Sequence, residues 1–287
     1  MLRIRQAPTV KSCAASWASA ETSPRHTHLV RGIVLALSPR GMTTTRIASN
    51  ICTIERTLAA SPAFSGVDSA LLTALGAQSL RSRRVRGTAL FQQGEPADGL
   101  CLVTSGIVKL SRSTAESELC ILGLFGPKEC IGMPSLPGAR HSTSAFAASD
   151  VVEFLSIPAA ALNAGMRDPG LAAALLRAAT TYSEVLMSKV DVLSAGSVPR
   201  RLARLFLMLG ERFGDELEEG SWVIPISLSR RDLSLMVGSC MESVIRVVSA
   251  WQKQGLLRTH ATGFELQTPL VFQEIARGTE LEPAHCA

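Results

Sequence analysis

The sequence predicts an α+β protein: an N-terminal β-roll or barrel, one long helix, and a C-terminal helical module closed by a small hairpin. Three observations predict it. The apolar period switches from helical to alternating after Arg86, the stretch from Asp168 to Gly196 holds a helical period throughout, and Ser229 to Gln254 places a capped helix on each side of one glycine. At 287 residues the chain can form two modest domains, each burying its own core. Hydrophobic residues make up 46%, charged residues 18% and aromatics only 5%, a globular composition with aliphatic cores.

The net charge of +5 comes from the first 41 residues, where Arg3, Arg5, Lys11, Arg25, Arg31 and Arg40 stand against Glu21 alone. Residues 42–287 are therefore neutral, and only local clusters such as Arg200, Arg201 and Arg204 can argue for a polyanionic partner. The seven cysteines (13, 52, 101, 120, 130, 240, 286) form no CxxC pair, and their odd number and wide spacing suggest no disulfide framework. A reducing, cytoplasmic location fits. The nearest approach to a membrane span is "GIVLAL", Gly32 to Leu37, far short of the roughly 18 apolar residues needed, so no membrane partner is expected. Residues 1–41, rich in Arg, Ser and Ala, superficially match a transit peptide. Met42 lies immediately ahead of the first recognisable pattern, and 1–41 are expected to be a disordered extension before a later start.

From Ile51 to Leu80 short helical patterns recur, "ICTIERTLAASPAF" and "VDSALLTALGAQSL". Brief β-type runs follow, cut by "QGEPADG", "TSG" and "FGPKE", at the spacing of a roll or barrel. The long helix opens with Pro169 and closes on Gly196. It carries one stripe through Leu171, Leu175, Ala178, Tyr182, Val185, Lys189 and Val192, and another through Leu176, Ala179, Ser183, Leu186, Val190 and Leu193. Two faces need two covers: the chain's own sheets and a partner copy, with Leu175, Tyr182, Leu186, Val190 and Leu193 as the candidate dimer residues. An ordinary buried helix is the alternative. A further helix runs from Ser197, a candidate N-cap, to Gly214, and "DELEEGSWVIPISLS" reads as a loop with a short strand.

Ser229 with Asp232 forms a capping box, and Leu233, Met236 and Val237 give that helix an apolar face ending at Gly238. Ser239 with Glu242 offers a second capping box, and Val244, Val247 or Val248, and Trp251 a second core face. "GLLRTHATGFELQ" then has the pattern of a hairpin, which completes a winged helix-turn-helix. The second helix turns Met241, Glu242, Ile245, Arg246 and Ser249 outward. In a major groove Arg246 could grip guanine O6 and N7, Glu242 could accept from cytosine N4, and Met241 could touch a thymine methyl. The alternative is a helix-capping Glu242 in an i,i+4 ion pair with Arg246, worth a few tenths of a kcal/mol. The wing and neighbouring helices favour DNA.

The order of roll, long helix and winged module, with "QGEPADGLCLVTSGIVKL" early and "LSRRDLSLMVGSCMESVIRVVSAWQKQGLL" late, resembles the Crp/Fnr family of bacterial transcription regulators over about Ile51 to Gln267. The resemblance implies a homodimer joined by the long helix, an effector domain of cyclic-nucleotide-binding type whose β-roll is jelly-roll-like (a double-stranded β-helix), and reading of an inverted repeat. Glu242 and Arg246 match the family's base-reading pair; Met241 and Ile245 depart from it. Arg200, Arg201, Arg230, Arg231 and Ser249 are the expected phosphate contacts, and RNA polymerase is a partner if the protein activates.

The family's nucleotide pocket falls on Gly132, Met133, Arg140, Ser142 and Thr143. Cyclic AMP binders carry Gly-Glu, then Arg-Ser/Thr-Ala; here Met133 replaces the glutamate and Ser142 stands in the arginine's place, so cyclic AMP is not expected. Cys13 and Cys52 lie too far apart for the family's iron-sulfur cluster, His141 is a lone histidine without a haem pattern, and no metal site is expected. Cys101, Cys120 and Cys130 read as buried strand thiols, with a redox role the lesser alternative. No P-loop, HExxH or GxSxG is present, so an enzyme is not expected. The expected domains are 42–168 for sensing, 169–196 for dimerisation and 197–275 for DNA, with 276–287 a tail. The rival from another class is a ligand sensor acting on a protein partner through the long helix.

Overall fold

The computed structural model describes residues 33–37, 43–47, 51–114, 119–132, 140–217 and 220–278. The described residues, all from Ile33 onward, form one compact unit. Strands β1 (Ile33–Leu37) and β2 (Thr43–Ile47) pair antiparallel from Ile33↔Ile47 to Leu37↔Thr43. This corrects the expectation that everything before Met42 lacks structure: the apolar run "IVLAL" has the residues of a strand. The other residues before Thr43 lie outside the described ones.

Helices α1 (Ile51–Ala59) and α2 (Ser69–Gln78) follow, separated by a 3-10 turn at Pro62–Phe64. The Asp68 carboxylate caps α2 by accepting from the Ala70 and Leu71 amides. Eight strands then build the roll: β3 (Leu80–Val85), β4 (Ala89–Phe91), β5 (Gly99–Ser105), β6 (Val108–Ser113), β7 (Leu119–Phe125), β8 (Cys130–Ile131), β9 (Ser144–Ala147) and β10 (Val151–Pro158). They form two antiparallel sheets, ordered β3-β10-β5-β8 and β4-β9-β6-β7. Alternation along β5 assigns the two sides. Leu100 and Leu102 pack with Leu58, Leu75 and Leu162 of the covering helices, whereas Cys101 and Val103 face Val108, Leu110 and Phe125 between the sheets.

Helix α3 (Ala159–Gly165) leads into α4 (Pro169–Leu193), whose N-cap Asp168 accepts from the Leu171 amide. Helix α4 approaches β7 closely at Gly123, where an added Cβ would collide with Cγ1 of buried Val185. The C-terminal part comprises α5 (Val198–Phe213), β11 (Asp215–Glu216), β12 (Trp222–Ile224), α6 (Arg230–Val237), α7 (Met241–Lys253), β13 (Leu257–His260), β14 (Gly263–Leu266) and α8 (Pro269–Arg277). Helix α8 extends past residue 275, where the sequence reading placed a tail. It is held because Phe272 is fully buried against Trp251, with ring centroids 5.0 Å apart, and Gly278 closes it.

The roll and the C-terminal part share a core: Ile107, Ile121, Leu124 and Ala148 pack in one cluster with Phe206, Leu233, Met236 and Val248. Polar ties run along the same seam. Lys109 Nζ on β6 lies 2.5 Å from Asp232 Oδ1 on α6, and Lys189 Nζ on α4 donates to the Leu235 carbonyl at 2.9 Å and to that of Met236. Arg212 on α5 donates to Glu129 at 2.8 Å and to the Leu124 carbonyl at 3.0 Å. Burial would raise the Asp232 carboxyl, but hydrogen bonds from Lys109 and Ser229, with the Lys109 charge, hold it below its ordinary value.

A carboxyl depressed in the folded state adds stability that is complete above its ordinary value, 3.8, and is lost as pH falls through the lower folded value. Unfolding free energy measured from pH 6 to about pH 2 should therefore fall more steeply for the native chain than for Asp232→Asn. Equal slopes would show that Asp232 contributes nothing through its charge. Gly123→Ala should cost about 1–3 kcal/mol in urea unfolding by forcing Val185 outward, with Val185→Ala recovering part of the loss.

Candidate nucleic-acid interface

Helix α6 begins with the predicted capping box. Asp232 N–H donates to Ser229 Oγ at 3.0 Å, and Ser229 N–H donates to Asp232 Oδ2 at 3.1 Å. It ends at Gly238, which adopts the left-handed region at φ 59°, as a residue without Cβ can do at little cost. The Ser239 amide donates to the Ser234 carbonyl at 3.1 Å and so helps close α6. Ser239 is therefore not the cap of α7: Cys240 holds that position, and its thiol contacts Ser243 Oγ at 3.1 Å. Helix α7 leaves α6 at 110°, within the range of a helix-turn-helix.

The period of α7 then decides which residues face out. Val244, Val248 and Trp251 are buried in the shared core. Glu242 and Arg246 are exposed, and so are Met241 at 43% and Ile245 at 41%; Ser249, on the same side, is half-buried. Among the described residues no ion pair joins Glu242 to Arg246, so the surface salt bridge weighed against the DNA reading is not formed. A carboxylate, a guanidinium and two apolar side chains thus stand together on one uncovered helix face.

The expected phosphate contacts separate into groups. Arg231 is exposed. Arg230 is half-buried and donates to Thr259 Oγ1 at 3.3 Å, which ties the first residue of α6 to the wing strand β13. Gln252 donates to the same hydroxyl at 3.1 Å. Arg200 is exposed and reaches the Gly278 carbonyl at 3.1 Å, at the end of α8. Arg201 requires correction: its Nη1 donates to the carbonyls of Val237 and Gly238, both at 3.2 Å, and the side chain caps α6 as a cation at a helix C-terminus does. The wing also carries Arg258 and His260, which sit 3.9 Å and 3.0 Å from Glu265.

The two stripes of α4 are present but drift, because 3.6 residues per turn does not keep a 3.5 spacing on one face. Leu175 packs in the cluster under α1 and α2, and Tyr182 stacks on Phe125 at 5.6 Å, so both of these expected dimer residues turn toward their own chain. Leu186 and Leu193 are half-buried. The outer face instead shows Leu176 at 69%, Met187 at 60% and Val190 at 50% exposure; Met187 had been missed.

Of the expected effector residues, Met133 lies outside the described ones. Gly132 lies against Phe91 and His141. Arg140 is exposed and donates to the Gly94 carbonyl at 2.7 Å, Ser142 is exposed, and Thr143 is buried. None of these four lines the cavity of about 240 Å³ that opens between the sheets beside Arg84, Cys101, His141 and Phe154. The His141 ring stacks on Phe91 at 3.9 Å, and burial lowers its basicity against the pull of Glu95 and Asp98. Burial pushes the Cys101 and Cys130 thiols up to about 12, which keeps both protonated, while exposed Cys240 is lowered chiefly by its hydrogen bond with Ser243. Cys13 and Cys286 lie outside the described residues. Among the described residues, no single helix is long and apolar enough to cross a membrane.

Sequence reasoning also missed the roles of Lys109 and Lys189 at α6 and of Thr259 in the wing. Lys189 did carry a signal, a lysine on the inward stripe of α4, whereas Lys109 and Thr259 carried none.

Residues 83–168 match the cyclic nucleotide-binding domain family and residues 200–269 the Crp-like helix-turn-helix domain family. The chain is 28% identical over 208 residues to the CRP-like cAMP-activated global transcriptional regulator of Mycobacterium tuberculosis, spanning 71% of this chain and 92% of that one. It is 30% identical over 196 residues to the cyclic AMP receptor protein of Thermus thermophilus, spanning 67% and 86%. In fold it is similar to FixK2 from Bradyrhizobium japonicum, with a TM-score of 0.60 at 20% identity over 72% of this chain and 99% of that one. The roll, the long helix and the winged module with its open α7 face thus agree with these likenesses: the chain belongs to the Crp/Fnr family and is a DNA-binding transcription regulator rather than an enzyme.

Proposed function

We propose that this regulator works in the cytoplasm as a homodimer that reads an inverted repeat under the control of an effector sensed by the roll. The observation that carries the reading is the outward face of α7, where Glu242 and Arg246 are exposed with no ion pair between them and Met241 and Ile245 expose apolar surface beside them. In a major groove Arg246 is placed to take guanine and Glu242 the amino group of cytosine, and the apolar pair favours thymine methyls at flanking positions. Arg231, Ser249 and Arg200 hold phosphates, while Arg230 fixes the wing. The Leu176, Met187 and Val190 face of α4 is the dimer contact, which sets two α7 helices about one DNA turn, roughly 34 Å, apart. RNA polymerase is the partner where the protein activates.

The described residues at the family position speak against a cyclic nucleotide: the Tyr182 ring lies on Phe125, and Arg140 is turned onto the Gly94 carbonyl. This reading expects an effector other than cyclic AMP.

Selection of a random duplex library should enrich an inverted repeat with the native protein and none with a Glu242→Ala, Arg246→Ala variant. On the enriched duplex, Arg246→Ala should relax discrimination at one guanine by about 1–3 kcal/mol. A loss equal across all sequences would contradict its base-reading role.

A further inference from the structure

We infer that Lys109 and Lys189 are positioning residues for DNA reading, through which the roll and the dimer helix fix the orientation of α6 and thereby of α7. The inference rests on the proposed reading of DNA by α7. Helix α6 is only eight residues long, too short to hold its own shape by backbone bonds. Each end also receives a partner from outside the winged module. At the N-terminus the Lys109 amine of β6 meets Asp232, the same carboxylate that completes the capping box. At the C-terminus the Lys189 amine of α4 takes the Leu235 and Met236 carbonyls, and Arg201 takes those of Val237 and Gly238.

These contacts are partly or wholly withdrawn from water. Lys109 and Asp232 side chains are 24% and 19% exposed, and Lys189 is a lysine at 9%. A cation held away from water is stabilised only by those partners, so its bonds resist slipping. Lys189 also sits between Met187 and Val190, which point the other way. A shift of α4 at the dimer face therefore moves the amine that holds α6. The contacts leave Met241, Glu242, Ile245 and Arg246 uncovered, so they orient the reading face and do not mask it.

The test compares native protein with Lys109→Met, Lys189→Met and the conservative Lys109→Arg. Hydrogen exchange of the α6 and α7 amides and affinity for the enriched duplex and for a scrambled one are the readouts. Each methionine variant should speed exchange in α6 and α7 while leaving the roll strands unchanged. Each should also weaken the enriched duplex by about tenfold and the scrambled one by no more than about twofold, because sequence-independent phosphate contacts do not need one orientation of α7. Lys109→Arg should restore both. Unchanged exchange, or an equal loss on both duplexes, would overturn the positioning role. If the native protein prefers no duplex, the DNA reading itself fails, and the exchange result alone decides whether the lysines hold α6.

Discussion

Helix α6 cannot complete its own hydrogen bonds, and the architecture follows from how that deficit is met. An α-helix leaves its first amides and last carbonyls without internal partners, and in eight residues these are most of what there is. Ser229 and Asp232 close one end locally. The other end needs Lys189 and Arg201, and the carboxylate at the first end is shared with Lys109 of the roll. The strand β6, the long helix α4 and the winged module therefore meet at one short helix.

From that point the exposed face of α7 is determined by geometry. Gly238 turns the chain through its left-handed conformation, α7 departs at 110°, and Val244, Val248 and Trp251 lock one side into the core that also contains Ile107 and Leu124 of the roll. What is left on the other side is the Glu242 and Arg246 pair with Met241 and Ile245. The aromatic group of Phe206, Trp251, Phe264 and Phe272 anchors α7 from beneath through edge-to-face contacts. Thr259, held by Arg230 and Gln252, joins the wing to both helices.

The α7 face was legible because exposure on a helix follows a local period, and the three core residues Val244, Val248 and Trp251 fix the phase of all the rest. The capping box of α6 and the glycine after it were legible for the same reason. The contact between Lys109 and Asp232 was not, since they lie 123 residues apart and only folding brings β6 to α6. The side of Tyr182 was ambiguous because two drifting stripes share its part of α4, and the stack on Phe125 resolves it. The second capping box failed on a single residue: Ser239 has the right chemistry, but its amide closes α6, which moves the cap of α7 to Cys240. Helix α8 was hidden by its shortness, and it is the burial of Phe272 that holds it.

The most direct measurement is a double-mutant cycle of Lys109→Met and Asp232→Asn, read in unfolding free energy and in affinity for the selected duplex. If the bridge joins the roll to the recognition module, the two substitutions should couple by about 0.5–3 kcal/mol in both readouts, with the double variant losing less than the sum of the singles. Strict additivity in both would mean that the roll does not hold α6 through this contact.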